Sequence, residues 1–112
     1  MPSPIRWMNA ALSAAFAMSM AAGAAAEPVS ERRAAELERL VRHDCGSCHG
    51  MTLKGGLGPD ITARRLAGSE PSALASIILD GVPEKPMPPW RPLLSEAEAL
   101  WIADYLLKDA SP

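Results

Sequence analysis

Cys45-Gly46-Ser47-Cys48-His49 sets two thiols and an imidazole in one short run of a 112-residue chain. Three kinds of chemistry use such a group. A redox dithiol of the thioredoxin kind also spaces its cysteines as CxxC, but within a βαβ context, and no strand-like alternation precedes Cys45. A structural zinc site needs four ligands. Beyond Cys45, Cys48 and His49 the chain offers only His43, too close in sequence to close such a site easily. Covalent haem attachment uses every position of the run. Two thiols add across the vinyl groups of neighbouring pyrroles, a spacing that a CxxC helical turn meets. The next side chain then projects toward the ring centre, where an imidazole nitrogen can bind iron.

An iron held in this way has a second axial position on the opposite face of the ring. His43 lies on the proximal side, and Met51 is too near His49 to reach round. Met87 lies far downstream, in Lys85-Pro86-Met87-Pro88-Pro89-Trp90. Its thioether is soft and suits low-spin haem iron, and His/Met ligation raises the reduction potential. A lone methionine is often core filler. Prolines on both sides, which fix backbone angles and remove competing donors, favour a ligand held in a stiff loop. A ligating imidazole also donates its other N–H to an acceptor. The carbonyl of Pro59, after Gly58, can serve, although an ordinary turn proline is the plainer alternative. Trp90 and Arg91 are placed to donate to a haem propionate, against which stand simple packing and surface exposure.

Three helical stretches must position these residues. The first is expected from Glu31 to Asp44, capped by Ser30, with Ala34, Leu37, Leu40 and Val41 as its apolar stripe. Arg32 with Glu36, and Glu38 with Arg42, are i, i+4 pairs on its solvated side. The second runs from Pro71 to Asp80, capped by Ser69 or Glu70 and ended by Gly81, with Leu74, Ile77 and Ile78 as its buried edge. A short turn is possible from Thr62 to Leu66. The third runs from Glu96 to Lys108 behind a Ser95/Glu98 capping box, with Ala99, Ile102, Ala103 and Leu106 on one face and Tyr105 on its margin. The fold class is therefore all-α. Two loops, Gly50 to Asp60 and Val82 to Leu94, carry almost no helix or strand signal. Long loops of that kind in a small domain are usually functional or disordered, and wrapping a cofactor explains both.

The first 26 residues are set apart from this domain. Arg6, the uncharged stretch Ala10 to Met20 and the small residues Ala24-Ala25-Ala26 read as a secretory signal cleaved after Ala26. The stretch is too short and too rich in alanine for a retained anchor, and nothing later is long and apolar enough to span a bilayer. The remainder, Glu27 to Pro112, is a single domain of about 86 residues, near the size at which a core becomes marginal. It has few large aromatics, so a flat apolar macrocycle at its centre would supply the missing burial. A bridge between Cys45 and Cys48 would restrain almost nothing. All 13 acidic side chains lie in this part, and its mildly acidic balance argues against nucleic acid as a partner. Lys54, Lys85 and Arg91 flank the two loops and could form a weak docking patch for an acidic partner.

CGSCH near the start, Gly58-Pro59, Met87-Pro88 in a late loop and a final helix reading LWIADYLLK resemble a small class I cytochrome c over nearly all of the exported part. The resemblance implies three main helices and long loops around one covalently bound haem c, with first and last helices crossing beside it. LVRHDCGSCHGMTLKGGLGP and PMPPWRPLLSEAEALWI are similar, more narrowly, to the NirC-type (cytochrome c55X) periplasmic cytochromes of denitrifying bacteria. That likeness implies electron delivery to the nitrite reductase with c- and d-type haems, fed by an upstream cytochrome or quinol-linked donor. The alternative it implies is a redox role in d-type haem biosynthesis or reductase maturation. Asp60 departs from the apolar or small residue common after Gly-Pro. With both axial positions filled by protein, a one-electron carrier is expected rather than an enzyme. A small-ligand sensor or peroxidase would need Met87 to leave, and no distal His or Arg is obviously placed for peroxide chemistry.

Overall fold

The computed structural model describes residues 28–109, so the expected leader and its cleavage after Ala26 lie outside the described residues. Within that span the α-helices are α1 (Glu31–Leu40), α2 (Gly46–His49), α3 (Ala63–Leu66), α4 (Pro71–Asp80) and α5 (Glu96–Leu107), and no strand occurs among the described residues.

Local chemistry places the helix starts. The Ser30 hydroxyl accepts the Arg33 N–H at 3.1 Å, satisfying one of the donors that a helix leaves unpaired at its first turn. At α5 the Ser95 hydroxyl accepts from Glu98 N at 3.1 Å, while the Glu98 carboxylate accepts from Ser95 N at 2.9 Å. This is the reciprocal cap expected of Ser-x-x-Glu. Pro71 opens α4, where a missing N–H costs nothing, and Gly81 closes it at φ 70°, a conformation open to glycine.

The first helix does not stop at Asp44. It continues through His49 by way of a π turn, Val41–Cys45, which joins α1 to α2. The Gly46 N–H reaches back to the carbonyl of Val41, five residues earlier. Val41 and Gly46 are both buried, so the widened turn keeps one face inward across the junction.

The core sits between α1, α4 and α5. Leu37 and Val41 come from the first helix, and Ala99, Ile102, Ala103 and Leu106 from the last, all buried. Helix α4 contributes Ala75, Ile78 and Leu79. Its inner edge therefore differs from the expected one: Leu74 is only half-buried and Ile77 is 44 % exposed. Adjacent helical residues point about 100° apart, so a face containing Ala75 and Ile78 turns Ile77 outward.

Polar links fasten α1 to α5 above this core. Arg33 pairs with Glu98, and the Tyr105 hydroxyl donates to Glu38 Oε1 at 3.0 Å. Glu38 also accepts from Arg42 at 2.9 Å. Its side of α1 is thus more than a solvated face, because it carries a contact to the last helix. Tyr105 stacks on Trp101 with centroids 5.1 Å apart and planes 12° from parallel. Such a pair contributes about 0.5–1.5 kcal/mol beyond its buried area.

Candidate haem-attachment site

The helix that carries the core residues Leu37 and Val41 also delivers the CxxCH turn. Cys45 is half-buried and packs against the core, whereas Cys48 is exposed, and neither is in a disulfide. Burial, with the charge of Asp44 beside it, pushes the Cys45 thiol up to about 11. At neutral pH it is a protonated thiol. This is the reverse of the depressed thiol that marks a redox dithiol.

His49 is tied down. Its Nδ1 lies 2.7 Å from the carbonyl oxygen of Pro59. A carbonyl only accepts, so Nδ1 carries the proton and donates it, and the lone pair of the neutral ring is on Nε2. The neighbouring backbone holds this arrangement still. Gly58 N donates to Cys48 O at 2.7 Å, Gly55 N to His49 O at 2.7 Å, and Gly56 N to Gly58 O at 3.0 Å. Gly58 lies so close beneath the ring that a Cβ there would sit 2.9 Å from His49 Nδ1 and Cε1.

Asp60, out of pattern in the sequence, has a local task. Its Oδ1 accepts from Thr62 N at 2.8 Å and from the Thr62 hydroxyl at 2.7 Å. These bonds hold the carboxyl below its ordinary range and fix the chain just after Pro59. An Asp-x-Thr pair is a readable signal for such a turn.

Met87 is half-buried and packs, like Cys45 and Trp90, against the one core of the domain. The backbone of Trp90 is fixed, with its N–H on Ile78 O at 3.1 Å and its carbonyl accepting from Leu93 and Leu94 at 2.9 Å. Arg91 carries ion pairs of its own. Its guanidinium is engaged by Asp80 at 2.9 and 3.0 Å and lies 3.7 Å from Glu96. Lys54 lines a shallow depression with Thr62, Ala63, Arg64 and Asp109.

The donor set fits a c-type haem. It offers two uncrosslinked thiols one helical turn apart, an imidazole whose free nitrogen is the one not tied to backbone, and a thioether at the core's edge. Residues 32–106 match the sequence profile described as cytochrome c oxidase, cbb3-type, subunit III. Helical fold, attachment turn and profile together define a c-type cytochrome, an electron-transfer protein whose class holds its haem covalently.

Within that class the chain belongs to the cytochrome c55X family. It is 56 % identical over 89 residues to cytochrome c55X of Paracoccus denitrificans (strain Pd 1222), a match spanning 80 % of this chain and 86 % of that one. Among solved structures it is similar to the c-type cytochrome NirC, with a TM-score of 0.71 and 45 % identity over 74 % of this chain and 99 % of the other. It is also similar to a part of the dihydro-heme d1 dehydrogenase NirN in complex with DHE. There the TM-score is 0.57 and the identity 33 %, over 62 % of this chain and 15 % of NirN.

Proposed function

We propose that this chain carries one haem c, thioether-linked at Cys45 and Cys48, with its iron between His49 Nε2 and the Met87 sulfur. The domain from Glu27 to Pro112 is then exported to the periplasm after loss of residues 1–26. There it passes single electrons to the nitrite reductase that contains c- and d-type haems. The bound iron supplies a one-electron couple. The residues do the rest: the cysteines fix the ring to the helix, Pro59 orients the imidazole and raises its basicity, and Met87 raises the potential. Trp90, in the same loop as Met87, packs against the core and is the residue we assign to a haem propionate. While Met87 stays bound, no site is left at the metal for oxygen, peroxide or nitrite, so the protein acts as an electron carrier.

The observation that carries this reading is the 2.7 Å His49 Nδ1–Pro59 O contact, which commits one ring nitrogen and leaves the other for iron. The test is made on the exported protein from a host that forms thioether links. Acidified solvent should leave the red pigment on the chain, and the pyridine spectrum should give one haem per polypeptide. Pigment that washes out, or a second haem, contradicts the reading. Mixing the reduced protein with purified nitrite reductase should then give rapid electron transfer.

The similarity to NirN favours a second reading, in which the acceptor or donor is an enzyme of d-type haem maturation. A module of this kind occurs there within a larger dehydrogenase, so a separate copy could serve the same chemistry. Deletion of the gene distinguishes the two. Normal d-type haem with slow nitrite reduction supports the shuttle to the reductase, whereas missing d-type haem supports maturation.

A further inference from the structure

The loop that carries Met87 leaves α4 at Asp80 and returns to the same place. Gly81 turns the chain outward. The N–H groups of Trp90 and Arg91 then come back to the carbonyls of Ile78 and Leu79, at 3.1 and 3.0 Å. The last carbonyls of a helix lack partners within it and are commonly satisfied by a local turn. Here the far end of the loop satisfies them. Arg91 adds a side-chain clasp: Nε donates to Asp80 Oδ1 at 2.9 Å and a terminal nitrogen to Oδ2 at 3.0 Å. Inside the neck the backbone ties are weaker, Val82 N to Met87 O at 3.3 Å and Lys85 N to Val82 O at 3.2 Å.

We propose that the Asp80–Arg91 ion pair is a latch on the methionine loop, and that it sets how often the Met87 sulfur leaves the iron. The proposal rests on the ligation by Met87 given above. Both are positioning residues, since they act on the iron only through the loop. A segment with few strong internal hydrogen bonds opens on its own, ahead of the rest of the fold. Opening this one parts a two-pronged, charge-assisted contact, the geometry in which a surface pair contributes most. Prolines at 83, 86, 88 and 89 stiffen the loop. Motion at the neck is then carried to Met87 rather than absorbed on the way.

The test is a titration of the ferric holoprotein with imidazole, followed by loss of the iron–thioether absorption band. The thioether departs with its lone pair and an imidazole nitrogen takes its place, with no electron gained or lost. Asp80→Asn and Arg91→Gln are each expected to raise the apparent imidazole affinity about three- to tenfold, by raising the fraction with Met87 detached. The double variant should rise no further than the larger single, because the two act as one unit. Arg33→Gln, which breaks the α1–α5 pair instead, should lower overall stability and leave imidazole affinity alone. Unchanged affinity in both single variants, or an equal rise in Arg33→Gln, overturns the latch while the ligation by Met87 stands. Absence of the thioether band from the wild-type protein overturns both.

Discussion

The loop after His49 and the loop around Met87 flank the same core, yet they are held by different means. On the histidine side, short backbone hydrogen bonds at 2.7–3.0 Å link Gly55, Gly56 and Gly58 to one another and to Cys48 and His49. Glycines there let backbone and ring approach closer than any side chain would allow. On the methionine side the internal bonds are longer, and stiffness comes from proline and from attachments at the neck. The first loop holds His49 through the Pro59 carbonyl and the close approach of Gly58. The second holds Met87 on a stiff arm fastened at its neck by two backbone bonds and the Asp80–Arg91 pair. The comparison teaches that the two residues proposed as axial ligands need not be equally permanent: the imidazole of His49 is built in, and the thioether of Met87 is expected to exchange.

Replacing Met87, the proposed ligand, should give the largest effect. Met87→Ala is expected to remove the iron–thioether band and lower the reduction potential by on the order of 100 mV or more, within the ~0.8 V range that axial ligation spans. Redox titration checks it, and an unaltered spectrum would place the sixth ligand elsewhere. Next comes Gly58→Ala, whose new Cβ would meet the imidazole at 2.9 Å. The ring must swing off Pro59, so the holoprotein yield should fall several-fold, as metal sites lose affinity when an outer partner is removed. A normal yield and spectrum would mean that the histidine side is softer than its geometry implies.

Gly81→Ala is a milder disturbance of the other loop. A side chain there faces φ 70° and a contact of 2.7 Å with the Met87 carbonyl, a cost of about 1–3 kcal/mol. We expect a mixture of methionine-on and methionine-off spectra instead of loss of haem. Hydrogen exchange of the unaltered protein sharpens the contrast further. The amides of Gly55 and Gly58 should be protected about tenfold or more over those of Val82 and Lys85, because local opening favours the loosely tied segment.

The smallest effect expected lies away from both loops. Arg33 holds the Glu98 carboxyl below its ordinary value of 4.5, first through their hydrogen bond. A lowered folded value means that the unfolded chain binds the proton more readily. The pair's contribution is therefore complete above about pH 4.5 and is lost as pH falls through the folded value. Glu98→Gln keeps the capping box, which accepts glutamine, and should flatten acid destabilisation measured by denaturant midpoints between pH 6 and 3. The difference between the two loops should survive this change.

How much of this was legible in the sequence depends on distance along the chain. Ser30, Ser95 with Glu98, Pro71 and Gly81 mark helix ends correctly because capping is decided within a few residues. The attachment turn is legible for the same reason. Partners chosen by tertiary packing are not. Nothing local to Glu38 announces Tyr105, and nothing local to Arg33 announces Glu98. Arg91 reads as a cation available for a propionate or a partner, because its carboxylate sits 11 residues back, across a loop whose closure no pattern reveals. Ile77 reads as buried because α4 is apolar nearly all round, and periodicity is a poor guide to which way such a helix rolls.

The π turn at Val41–Cys45 has one last consequence, for the phase of the whole N-terminal rod. An ordinary helix would repeat its inward direction from Val41 four residues on; this one does so at Gly46, one position later. Rewinding that stretch to regular pitch, with every residue kept, would shift the phase by one position. Everything beyond the turn would then be carried about 100° around the axis relative to Leu37. Both thiols and the imidazole would travel together, intact as a trio but aimed away from the rest of the domain. A homologue lacking that extra residue needs only a regular helix to keep the same aim.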